Sequence, residues 1–164
     1  MFTSLTIDPE ALSIFLKLSA AIFCGALIGT ERVISHKSAG MRTYALVAMG
    51  AALFVIIGDI IFRQYIGEGF IADNPLQIPS MIISGIGFMG AGMIIFRNDG
   101  VMGLTSASGF WVAAGIGIAC GYGLFTVSFM ATLLVLFVFI ILWHVEKHVK
   151  KYVAGSSDSA RMKE

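Results

Sequence analysis

The chain has 164 residues, of which 57% are hydrophobic and 13% charged, with a mean hydropathy of +0.89. A soluble domain carries about 45–50% apolar and about 25% charged residues, so this composition excludes an ordinary soluble fold and indicates a membrane protein. The net charge is only +1, and Lys and Arg fall between apolar segments instead of clustering, which excludes a phosphate-binding face for nucleic acid.

The first ten residues lack the positive start of a cleavable signal. Asp8-Pro9-Glu10 reads as a helix start, with Asp8 as cap and Pro9 in the first turn. About 20 apolar residues cross the hydrocarbon core as a helix, and five segments approach that length. The first is Ala11–Gly29, interrupted by Lys17; the second is Thr43–Phe62, with Asp59 near its end; the third, Ile78–Phe96, is uncharged. From Gly100 to Trp143, 44 residues contain no Asp, Glu, Lys or Arg. At ~1.5 Å per residue that run is about twice a bilayer, so it folds back, and Cys120–Gly123 (CGYG) is the expected turn. The fourth and fifth spans are then Leu104–Ala119 and Leu124–Trp143.

The expectation is an all-α membrane protein, a compact bundle of five transmembrane helices. Lys and Arg between spans set orientation. With the N-terminus outside, Arg32, Lys37, Arg42, Arg97, Lys147, Lys150, Lys151, Arg161 and Lys163 lie inside and only Arg63 outside. This predicts N-out/C-in, with an external stretch at 1–10, the bundle at 11–151 and a flexible cytoplasmic tail at 152–164.

Ser84–Gly92 contains a literal GxGxxG at Gly85, Gly87 and Gly90, but a dinucleotide site needs a strand before it and an aqueous phosphate site, which an uncharged span does not offer. Small residues instead let helix backbones approach in lipid. Gly25, Gly29, Gly85, Gly87, Gly90, Ala91, Gly92, Gly117 and Gly121 are the expected packing positions. Cys24 and Cys120 read as buried apolar residues.

Ionisable groups inside spans are costly and default to functional candidates. Lys17 and Asp59 both fall near the outer end of their spans and are expected either to pair across the first hairpin or to sit separately at the interface. At the inner end Glu31, Arg32, Arg42 and Thr43 gather at the hairpin mouth, with Asn98, Asp99 and Thr105 on the next inner loop, followed by Ser106. A Glu31–Arg42 ion pair would fix that loop; a ligand or partner site would leave one charge free. His144 and His148 are four apart, but HVEKH does not match the HExxH zinc signature. Nothing assembles a nucleophile, base and orienting group, so neither catalysis nor a cofactor is indicated.

Four stretches, GALIGTER (Gly25–Arg32), AGMRTYALVAMGAALF (Ala39–Phe54), ISGIGFMGAGMI (Ile83–Ile94) and GLTSASGFWVAAGIGIACGYG (Gly103–Gly123), resemble the membrane domain of the MgtC/SapB family. The resemblance implies a multi-pass protein of the bacterial inner membrane, linked to magnesium homeostasis and, in some pathogens, to virulence. It implies a non-enzymatic regulator acting on membrane partners, such as the ATP synthase or sensor kinases. Many such proteins carry an ACT-like domain after the last span, for which these 164 residues leave no room, so the bundle is expected to be the acting part. The competing expectation is a magnesium or other cation transporter with Asp59 as its acid, and a homodimer is open.

Overall fold

The computed structural model describes residues 8–67, 76–98 and 100–161. Helix α1 spans Pro9–Ile34; Asp8 accepts the Glu10 amide at 3.1 Å and Pro9 opens the first turn, as expected. Helix α2 spans Met41–Gly67, α3 Gln77–Met93 and α4 Leu104–Gly121. Helix α5, Phe125–Phe137, runs through a five-residue π-helical segment, Val138–Leu142, into α6, Trp143–Arg161.

Four helical stretches are long and apolar enough to cross a membrane: Pro9–Ile34, Met41–Gln64, Leu104–Gly121 and Phe125–Tyr152. The expected third span stops early. α3 has 17 residues, about 25 Å against a hydrocarbon core of about 30 Å. Ile95–Arg97 (β1) leaves the helix and pairs antiparallel with Gly100–Met102 (β2), Phe96 facing Val101. Asn98 and Gly100 are turn-favouring residues where the two strands join, and that preference overrides the apolar run of 94–96. At the far end, the helix passes the Lys151 boundary expected for the bundle and runs to Arg161; no proline interrupts it.

The expected CGYG turn forms. Gly123 takes φ +75°, a left-handed conformation that glycine adopts without strain, and its amide donates to the Cys120 carbonyl at 2.9 Å. Gly103, at φ +91°, similarly opens α4; a side chain there would overlap the Met93 carbonyl.

Backbone contact at glycine holds α1, α2 and α4 together. A Cβ at Gly25 would lie 2.5 Å from the Tyr44 carbonyl oxygen, and one at Gly29 2.5 Å from Met41 Cα. A Cβ at Gly117 would overlap the Ala48 carbonyl, and one at Gly121 would lie 2.9 Å from the Ala52 carbonyl oxygen. Around these contacts Ala21, Ile28, Ala48, Ala52 and Ala113 are fully buried. Cys24 of α1 meets Cys120 of α4 in this core, with Ser128 and Thr132 of α5 beside them.

α3 departs from the expectation. A Cβ at Gly90 would touch Ala107 at an ordinary 3.6 Å, but one at Gly85, Gly87 or Gly92 meets nothing within 4 Å, and Ala91 is exposed. These four positions do not pack within the chain, because α3 leans on α4 and leaves a groove between itself and α2.

Candidate functional site

Glu31 and Arg32 lie in the last turns of α1, where a cation is favoured by the helix C-terminus. Both are buried, at 7% and 4% exposure, an unusual place for charges unless they are paired. Arg32 Nε stands 3.0 Å from Glu31 Oε2, while Ser35 Oγ donates to Oε1. The guanidinium lies over the ring of Phe139, with Cζ 4.2 Å from the centroid. Phe139 belongs to the π-helical segment, whose extra residue per turn shifts the side chains beyond it; such segments recur at functional sites.

Two further elements, α2 and α4, pack beside the pair. Tyr44 of α2 is fully buried, donates its hydroxyl to the Ser106 carbonyl at 3.3 Å, and packs edge-on against Phe110 at 4.8 Å. Gly109 makes room for both rings: a Cβ there would lie 2.5 Å from the Tyr44 hydroxyl and 2.9 Å from Phe139 Cζ. Glu31 Oε2, Arg32 Nε and Arg32 Nη1 are buried without an aligned hydrogen bond. The pair is thus held by charge and by the aromatic face, and Nη1 keeps an unspent donor.

The other expected members of the inner cluster do not join this pair in the buried interior. Arg42 and Thr43 are exposed in the first turn of α2, Asn98 is exposed at the hairpin, and Thr105 is exposed in the first turn of α4. Asp99 lies outside the described residues. Glu31 takes Arg32 as its partner, not Arg42. At the other end, Lys17 and Asp59 do not pair across the hairpin, the first of the two expectations, but sit separately, the second. Asp59 Oδ2 forms an ion pair with Arg63 Nη2 at 2.8 Å, one turn along the same helix, and Lys17 lays its stem beside Gly123 at the α4–α5 turn. A partner on the same helix needs no second element to be positioned, which is why Arg63 wins.

Sequence reasoning placed Ser106 beside Thr105 at the inner end but missed Tyr44, Gly109 and Phe139. Tyr44 follows directly on a residue singled out for its polarity, which was the available signal. Phe139 carried none, because its register depends on the π segment. Among the described residues no group of three or more His, Cys, Asp or Glu could hold a metal ion.

The sequence model of the MgtC family matches residues 18–148, which hold every element of this site. The chain belongs to the MgtC family. It is 40% identical over 146 residues to Protein MgtC of Salmonella typhimurium, covering 89% of this chain and 59% of that protein. It is 42% identical over 123 residues to YhiD of Escherichia coli K12, whose name describes it as a candidate magnesium transporter, covering 73% of this chain and 57% of that protein. An uncharacterized protein of Haemophilus influenzae is 37% identical over 132 residues, covering 79% and 55% respectively. The chain therefore spans somewhat over half the length of these relatives. No solved structure matches it.

Proposed function

We propose that this MgtC-family membrane protein is a non-enzymatic regulator in the bacterial inner membrane, serving adaptation to low magnesium through contacts with other membrane proteins. The proposed topology is N-out/C-in, with α3 as a short fifth span beside the four long ones. One observation carries the regulatory reading over transport: the carboxylates Glu31 and Asp59 are each engaged by an arginine, at 3.0 Å and 2.8 Å. Hydrated Mg²⁺ is held by carboxylate and carbonyl oxygens, and a carboxylate spent on a guanidinium is a poor ligand. Glycine-mediated backbone contact closes the bundle between those two pairs. The outward face of α3, with Gly87 and Ala91 exposed, offers a partner helix the close approach that association in lipid favours. By family resemblance the ATP synthase and sensor kinases are candidate partners.

A strain lacking the protein, grown at limiting magnesium, tests this reading. Asp59→Asn should restore growth as well as wild type does, whereas Gly87→Ile with Ala91→Ile should not, at equal membrane abundance. The reverse pattern favours the second reading, cation transport through Asp59, which the name of the E. coli relative suggests.

A further inference from the structure

Helices α2 and α3 enclose a groove of about 770 Å³. Leu46, Phe54, Ile82 and Met89 are typical of its walls, and Thr43 is the one hydroxyl among its lining side chains. Its depth comes from Gly50 and Gly85, where a Cβ would meet nothing within 4 Å. From Thr43 to Ile61 the groove follows α2 for about 27 Å, close to a ~30 Å hydrocarbon core, so an acyl chain of one leaflet entering at the Thr43 end fits within it. The Thr43 end is cationic. Arg42 is exposed in the same turn, Lys37 is exposed in the connector before it, and the sequence from Arg32 to Gly58 contains no acidic residue. This turn is also the start of a 27-residue helix with no acid in its first turn, and such a start favours an anion.

We propose that the α2–α3 groove is a binding site for an anionic phospholipid, with an acyl chain between Phe54 and Ile82 and its phosphate at Arg42 and Thr43. Charge complementarity selects this occupant over a second copy or a partner helix. An apolar helix would fill the walls but would leave the cationic mouth unused. The site is separate from the outward Gly87/Ala91 face and from the Glu31–Arg32 pair, so it stands or falls independently of the regulatory reading.

The test is native mass spectrometry of the full chain, released from nanodiscs containing equal amounts of phosphatidylglycerol and phosphatidylethanolamine. Wild type should retain one phosphatidylglycerol in preference to phosphatidylethanolamine. Gly50→Leu with Gly85→Leu places side chains in open space inside the groove and should retain about tenfold less lipid, the loss expected when even two methylene groups forgo burial. Arg42→Ala with Thr43→Val leaves the walls intact and should retain lipid without the preference for phosphatidylglycerol; this second variant keeps the test decisive if the first fails to fold. Unchanged retention in the filled variant overturns the proposal, as does unchanged headgroup preference in the second. A filled variant that turns from dimer to monomer with lipid retention unaltered also overturns it, in favour of a second copy.

Discussion

Arg32 rests its guanidinium on the ring of Phe139, 4.2 Å from Cζ to centroid, and so ties the end of α1 to the π-helical segment more than a hundred residues later. The same guanidinium holds Glu31, so one side chain joins a buried carboxylate to an aromatic face. Removing either charge alone leaves the other stranded. Arg32→Leu and Glu31→Leu should each cost about 3–5 kcal/mol, and the double variant should be less destabilised than the sum of the two. Thermal unfolding in a single detergent, read as a double-mutant cycle, checks this; additive losses would mean that the pair is not coupled.

Phe139→Leu keeps an apolar volume but removes the π face. A desolvated cation–π contact is worth about 2 kcal/mol, so the variant should lose about that much in wild type and much less when Arg32 is already Leu. Equal losses in both backgrounds would show that Phe139 contributes packing alone.

The glycines divide into two classes. Gly117→Ala forces a methyl group onto the Ala48 carbonyl, at a cost of about 1–3 kcal/mol or more, whereas Gly115→Ala enters open space. Gly115→Ala should be neutral or slightly stabilising, since alanine favours the helix by up to about 1 kcal/mol. The two variants add the same methyl group two residues apart on α4, and the melting temperature of Gly117→Ala should fall well below that of Gly115→Ala.

Tyr44→Phe removes one hydroxyl and leaves its ring on Phe110. The lost bond to the Ser106 carbonyl, 3.3 Å long, should cost about 0.5–1.5 kcal/mol. Tyr44→Ala, which also empties a fully buried volume, should cost about 3–5 kcal/mol, as large aromatic truncations do. Thermal shifts of the two variants measured side by side check the ratio.

Much of this architecture is legible in the residues. The confinement of Arg32, Lys37 and Arg42 to one connector marks the α1–α2 hairpin, and CGYG marks the α4–α5 turn. Gly25, Gly29, Gly117 and Gly121 sit at the backbone contacts their spacing suggests. The partners of the charges are harder to read. Adjacent helical residues do not face one another, which argues for Arg42 as the partner of Glu31; at the end of α1 the long side chains fold toward each other nonetheless. The end of α3 at Met93 is hidden because hydropathy continues through Phe96 while the hydrogen bonding changes from helix to hairpin. Phe139 is hidden for a related reason: a π segment alters the register that a 3.6-residue period assumes.

The central claim is that the engaged carboxylates belong to a regulator and not to a cation path. Mg²⁺ uptake into proteoliposomes holding the purified protein, with an Asp59→Ala control, tests it most directly. The account predicts uptake no greater than in protein-free liposomes, for both wild type and the control, from protein shown to be folded by its melting transition. Uptake by wild type that disappears in Asp59→Ala would contradict it and make Asp59 part of a transport route.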